Sequence, residues 1–384
     1  MKKLLFIFII FTLNLNIFGT ITDNEIKVGS FQALSGPVAF IGQPMTNGMK
    51  AYFNYINDNG GIYGRKINFI VADDQFNPAK TTVEVKRLVE NDKVFAIVGG
   101  LGTPGCLAVM KYLNDSKIPF VYQGSGSSLL AIPPKKYIFP VQPNYTLEGN
   151  IVINHLIKDK HAKKIAIVYR NADDGKEFLN SAKKALEKNG MEPVVNIAIN
   201  PTANDFSTEM TKLIAARPDS IAVMLFNPQT INFVKQAKQY GLKNQNYILT
   251  YANADITFIK YAGSAAENVE AMAWVDVDFS NTDLQVFKIY QKYYKELPNA
   301  YAIAGMIAAE TFVEGLKRAG INLTTENFIM GMESIHKWNG VAAHEITYDK
   351  LNNENSRMGK ESMYVLKVKN GIWVKASDWI NYSK

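Results

Sequence analysis

The 384-residue chain is 47% hydrophobic and 20% charged, with a formal net charge of +7, the balance of a globular protein with a sizeable core. Its lysines are spread along the chain and no basic run is interleaved with aromatics, so the charge describes a solvated surface and no nucleic-acid partner is expected. The single cysteine, Cys106, excludes an intramolecular disulfide, and the four histidines lack metal-ligand spacing.

The first residues, MKKLLFIFIIFTLNLNIFG, give two lysines, an apolar run and a small Gly19 before Thr20. That is the layout of a secretory signal peptide spanning 1–19, with cleavage near Gly19, and the run is short for a membrane span. An uncleaved anchor is the other reading of it. No cysteine lies nearby to carry a lipid. The mature part then alternates β-branched runs with amphipathic stretches. Strands are predicted over 26–33, 67–73, 94–100, 118–123 and 137–141, with helices over 43–59 and 79–91. Asn59-Gly60-Gly61 and Asn77-Pro78 are helix stop and start signals.

A second set follows Gln142-Pro143. Helices at 145–158, 176–188, 206–216 and 228–240 alternate with strands at 164–169, 192–199, 220–226 and 246–250. Runs such as IAIVY and IAVMLF are apolar throughout, as strands covered on both faces must be. The pattern implies an α/β protein with two doubly wound, parallel-sheet lobes. Helices are then predicted over 284–296, 300–319 and 325–333, and a hairpin over 363–374 around Asn370-Gly371.

Gly100-Leu101-Gly102-Thr103-Pro104-Gly105 fits G-x-G-x-x-G. A dinucleotide site also needs an acid ending the next strand, and that strand ends in Gln123 followed by glycine. No cofactor is therefore expected, and an NAD-binding enzyme is the least supported reading. The loop still presents Gly102 and Thr103 at a helix start, where free amides favour an anion. The neighbouring loop, Gly124-Ser125-Gly126-Ser127-Ser128, is dense in amides and hydroxyls. Side by side at a carboxyl edge, the two loops form either a pocket for a small carboxylate or two ordinary glycine turns. Neither G-x-S-x-G nor H-E-x-x-H nor a Walker lysine loop occurs, so no enzyme is expected. Cys106 reads as a small buried residue rather than a nucleophile. Asp73-Asp74 reads as a helix cap, whereas Asp173-Asp174 either caps a helix or faces a cleft between lobes.

Ordered blocks along the whole mature chain carry a resemblance. EIKVGSFQALSGPVAFIG, INDNGGIYGRKINFIVADDQFNPAKT, KKIAIVYRNADDGKEF and DFSTEMTKLIAARPDSIAV are followed by QAKQYGLK, AYAIAGMIAAETFVEGLKRAG and MYVLKVKNGIWV. Together they resemble the periplasmic substrate-binding proteins of branched-chain amino acid type ABC importers, with the type I binding-protein fold. The resemblance implies two lobes, 24–141 plus 273–346 and 144–269 plus 349–384, joined by a three-segment hinge near 141–143, 269–273 and 346–349. It implies a monomer that closes on a small carboxylate-bearing solute in the periplasm and delivers it to an inner-membrane permease complex. A ligand-sensing module feeding a receptor shares that fold.

Carried over position by position, ligand contacts fall on Phe40 and Ile41, on Gly102 and Thr103, and on Gly124, Ser125, Gly126 and Ser127. In the second lobe they fall on Asp173, Asp174, Phe226 and Tyr251. Amino-acid binders of this type place a glutamate after the fourth strand of the second lobe to hold the ligand's ammonium. Here that stretch reads ILTYANAD, which leaves Asp173, Asp174 or Asp255 to substitute. The cysteine pair of leucine-type binders is replaced by Phe76 and Gly102. The resemblance leaves the ligand open between an amino acid and an aromatic or aliphatic acid.

Overall fold

A computed structural model describes residues 21–276, 281 and 283–381; the signal-peptide expectation at 1–19 lies outside them. In chain order the first lobe holds β1 (Glu25–Gln32), α1 (Ala39–Asp58), β2 (Lys66–Asp73), α2 (Pro78–Glu90), β3 (Ala96–Val98), α3 (Thr103–Asp115), β4 (Phe120–Val121) and β5 (Ile138–Phe139). The second runs α4 (Tyr145–Lys158), β6 (Ile165–Arg170), α5 (Asp173–Lys188), β7 (Val195–Ile199), α6 (Ser207–Ala216), β8 (Ser220–Met224), α7 (Gln229–Gln239), β9 (Asn246–Leu249), α8 (Ile256–Ala262) and β10 (Glu270–Ala273). Helices α9 (Gln285–Gln291), α10 (Ala300–Ala319) and α11 (Thr325–Glu333) follow, then strands β11 (Ser362–Lys369), β12 (Ile372–Lys375) and β13 (Ile380–Asn381).

The first sheet is parallel throughout, in the order β2-β1-β3-β4-β5. The second, β12-β11-β10-β9-β8-β6-β7, is parallel from β10 to β7, with β11 and β12 added antiparallel at one edge. Several strands are shorter than their apolar runs. β3 stops at Val98 because Gly99 and Gly100 take positive φ, and β4 stops at Val121 because Tyr122 has φ 58°. β7 starts after Pro193, which has no amide to donate. α2 begins where Asn77-Pro78 predicts, with the Asn77 side chain accepting from the Ala79 and Lys80 amides. Asp73 and Asp74 are likewise structural: Asp73 holds the Leu34 amide and Ser35 hydroxyl, and Asp74 the Thr81 hydroxyl.

Two of the expected crossings move. β10 pairs with β9 and β11, so Val269–Ala273 belongs to the second sheet and the chain leaves that lobe after Ala273. Residues 346–360 pack on the end of β5, with Tyr348 Oη donating to the Pro140 carbonyl at 2.6 Å, so the last crossing lies just before β11. The first crossing lies between β5 and α4, as expected. The three are tied together. Lys360 N–H donates to the Val141 carbonyl at 3.0 Å, and Tyr364 Oη donates to the Val275 carbonyl at 2.7 Å. Lys360 Nζ is buried against His344 Nδ1 at 2.9 Å and over the Trp379 ring, and burial pushes its ammonium down to about 7.

Helix α10 returns from the last third of the chain to the first lobe and packs on α1. A Cβ on Gly48 would meet the Ala302 carbonyl oxygen at 1.8 Å, and one on Gly305 would meet that of Met45 at 2.0 Å. Reciprocal glycines thus set the helix separation. Gly305→Ala is expected to destabilise the protein by about 1–3 kcal/mol, read as a lowered urea midpoint at unchanged slope.

Candidate functional site

The carboxyl edges of the two sheets face each other across a cavity of about 140 Å³. Its wall takes Ile41, Gly102, Thr103 and Gly124 from the first lobe, and Asp174, Phe226 and Tyr251 from the second. Seven of the sequence-predicted residues are therefore brought together. The other five stand behind the wall. Phe40 packs edge-on against Tyr301, 6.2 Å between ring centroids, and so supports the wall rather than covering a ligand. Asp173 is exposed in the first turn of α5, outside the cavity. Ser125, Gly126 and Ser127 are committed to contacts of their own.

Those contacts define the polar end. Gly102 N–H donates to the Gly124 carbonyl at 3.0 Å and Gly124 N–H to that of Gly100 at 2.7 Å, so neither amide is open to a ligand. Thr103 Oγ1 and Ser125 Oγ lie 2.7 Å apart, and Ser125 Oγ accepts the Ser127 amide at 3.1 Å. With Ser125 donating to Thr103, the Thr103 proton is left for an acceptor in the cavity, and successive bonds polarise one another. Thr103 also opens α3, where first-turn amides favour an anion. Gly102 itself is a packing requirement. Its φ is 94°, and a Cβ there would meet the Phe76 ring at 2.2 Å.

The rest of the wall is largely apolar, aromatic and aliphatic, and of its aromatic residues the sequence pointed to Phe226 and Tyr251 but not to Tyr122, Tyr145, Trp274 or Tyr301. Tyr122 Oη donates to Gln142 Oε1 at 3.0 Å, and Gln142 Nε2 donates to Tyr251 Oη at 2.9 Å. Tyr145 stacks on Tyr251 with 6.0 Å between centroids and 11° between planes. A Cβ on Gly126 would meet Tyr251 Oη at 2.3 Å, which is why that loop position is glycine. Burial pushes the hydroxyls of Tyr122, Tyr145, Tyr251 and Tyr301 upward, so all four stay neutral. Trp274 and Tyr301 complete the wall. Asn227, 7% exposed, lines it with neither amide atom hydrogen-bonded. Tyr145 and Tyr301 start helices that read as ordinary core in the sequence, and only Gln142, a polar residue at a crossing, carried a signal.

Direct bonds join the lobes around the cavity. Tyr301 Oη donates to the Ala252 carbonyl at 2.8 Å, the Ala300 amide to Asp255 Oδ2 at 3.0 Å, and the Ser128 amide to Glu177 Oε1 at 2.8 Å. Glu177 also takes the Ser127 hydroxyl at 3.3 Å. Asp255 is equally occupied. Asp174, the one acid on the wall among the described residues, is held by Arg170 Nη1 at 2.5 Å and by the Gly175 amide. No group of three or more acidic, histidine or cysteine side chains suited to a metal occurs among the described residues. Cys106 is buried, and burial pushes its thiol up.

The pattern matches the periplasmic binding protein family model over residues 25–372. The chain belongs to the periplasmic binding protein family. Among its relatives, Leu/Ile/Val-binding protein homolog 7 of Brucella abortus is 22% identical over 358 residues, covering 88% of each chain. Among solved structures, a branched chain amino acid ABC transporter protein from Thermus thermophilus with bound valine superposes with a TM-score of 0.84 at 20% identity, over 94% of this chain and 98% of that one. A solute binding protein from R. palustris in complex with benzoate superposes with a TM-score of 0.79 at 20% identity, over 92% and 95%. These likenesses establish the two-lobed fold of this periplasmic binding protein.

One buried acid lies directly behind the wall. Glu148 of α4 accepts the Tyr251 amide at 2.7 Å and pairs with the Thr250 hydroxyl at 2.9 Å. It holds the Thr250-Tyr251 segment but does not line the cavity. Burial pushes its carboxyl from 4.5 up to about 8. The folded protein then holds a proton that the unfolded chain releases, so this contribution is full below pH 4.5 and is lost as pH rises through about 8. Glu148→Gln keeps both bonds and is expected to remove that part of the slope in melting temperature between those limits. Glu148→Ala strands the Tyr251 amide and should cost about 1–3 kcal/mol at pH 6.

Proposed function

We propose that this periplasmic binding protein is the solute-capturing subunit of an ABC importer. It takes a small, mainly apolar carboxylate between its lobes, closes on it, and presents the closed form to a membrane permease. The observation that carries this reading is the division of the cavity: one polar end at the Thr103 hydroxyl, largely apolar walls of mixed aromatic and aliphatic side chains elsewhere, and a single wall acid among the described residues already paired with Arg170. A ligand ammonium would find no free carboxylate, and an unpaired buried charge is costly. A volume of about 140 Å³ is close to the ~150 Å³ that accepts one benzene-sized ring. The relative holding benzoate is consistent with a deaminated acid, and the one holding valine marks the alternative.

The energetics are adequate. Micromolar capture needs about 8 kcal/mol, of which hydrogen bonds to a carboxylate supply about 1.5–3 kcal/mol each. Burial of a ring against Phe76, Phe226 and Tyr251 adds about 25 cal/mol per Å² of apolar surface. A ligand that bridges both lobes stabilises only the closed form, which shifts the population towards it.

A thermal-shift screen tests the ligand class. Benzoate, isovalerate and hexanoate should each stabilise the protein more than valine or isoleucine, by about 2.7 kcal/mol at 100 times the dissociation constant. Thr103→Val should weaken acid binding about 10- to 100-fold and, because it strands the buried Ser125 hydroxyl, lower ligand-free stability by about 1–3 kcal/mol. Amino acids stabilising the protein while their deaminated analogues do not would overturn the reading.

A further inference from the structure

Asn227 follows Phe226 at the carboxyl end of β8, on the second-lobe side of the cavity. It is more than nine-tenths buried, and neither Oδ1 nor Nδ2 has a hydrogen-bond partner. A buried primary amide is normally bonded through most of its donors and acceptors, so one left wholly unpaired in a cavity wall is anomalous. Its surroundings explain why the protein leaves it so. The neighbouring Tyr301 hydroxyl has committed its proton to the Ala252 carbonyl, so it has none for Oδ1 and its oxygen can take at most one Nδ2 hydrogen. Gln142, the other wall amide, has both side-chain atoms engaged by Tyr122 and Tyr251. Asn227 thus keeps an unused acceptor at Oδ1 beside an unused Nδ2 hydrogen.

We infer that Asn227 reads an uncharged polar group on the ligand, a hydroxyl that donates to Oδ1 and accepts from Nδ2, so that the cognate solute is a hydroxy-substituted acid rather than a plain hydrocarbon acid. This rests on the carboxylate reading, with Thr103 and Asn227 on opposite lobes of one cavity. A ligand bonded at both residues spans the cleft and is rewarded only in the closed state. A cavity with purely apolar walls would favour methyl over hydroxyl. A site built to bond a hydroxyl rejects the methyl analogue, because its own polar groups stay unpaired.

The test uses pairs of equal shape and opposite chemistry: para-hydroxybenzoate against para-toluate, meta-hydroxybenzoate against meta-toluate, and omega-hydroxyhexanoate against heptanoate. Affinities of the mature protein are measured by calorimetry, with Trp274 fluorescence as a second readout. At least one hydroxy acid should bind about tenfold or more tightly than its methyl partner. Asn227→Leu should abolish or invert that ratio while the methyl acid binds as well or better. Methyl acids binding as tightly as hydroxy acids in all three pairs would overturn the role of Asn227 and leave the carboxylate reading standing. No acid binding at all would overturn both. Should Asn227→Leu fail to fold, the wild-type ratios decide the matter alone.

Discussion

The hydrogen bond from the Lys360 amide to the Val141 carbonyl, with that from Tyr364 to Val275, ties three chain crossings into one narrow connection. On it depends whether two sheets, each complete in itself, face one another at all. Apolar packing runs through the connection as well: one buried cluster takes Val28, Phe53 and Val98 of the first lobe together with Ile151, Phe178 and Met224 of the second, beside a further cluster within each lobe. What the connection imposes is that both carboxyl edges open on the same space. In an α/β sheet those edges carry the helix starts and the loops free to bind. A cavity between two of them combines donors from one lobe with rings from the other.

Polar contacts around the rim, among them Tyr301 to Ala252, Ala300 to Asp255 and Ser128 to Glu177, join the lobes there. Such contacts exchange with water at little net cost. In the function proposed above, a bound solute favours the closed form because it adds contacts that only that form makes. Burial raises the carboxyls of both Glu177 and Glu148, the latter to about 8.

Chemistry at the site is divided by reach. Thr103, hydrogen-bonded to Ser125, is the polar pole; Arg170 pairs with Asp174; aromatic and aliphatic side chains fill most of what remains. The glycine-rich loop that resembles a nucleotide fingerprint serves this arrangement through shape. Gly102 has no side chain because Phe76 occupies that space, and its amide is spent on Gly124.

The sequence by itself determined the α/β class, the two lobes, most helix starts and the ordered blocks that place the chain in its family. Those properties follow from local periodicity and capping, which a linear reading sees directly. It also found Thr103, Gly102 and Asp174, because loops after parallel strands must lie at the binding edge. Tertiary structure alone decided which loop residues face the cavity. Ser125, Gly126 and Ser127 are three consecutive residues, and the two hydroxyls and the space beside Gly126 are taken by Thr103, Glu177 and Tyr251, partners distant in sequence. It decided too that β10 stays with the second sheet, since strand membership is set by pairing and not by composition. Tyr145, Tyr251, Asn227 and Tyr301 come from four separate segments, and no periodicity marks them. They become one wall only when the lobes meet, because the polar edges of those segments find their complements across the cleft and not along the chain.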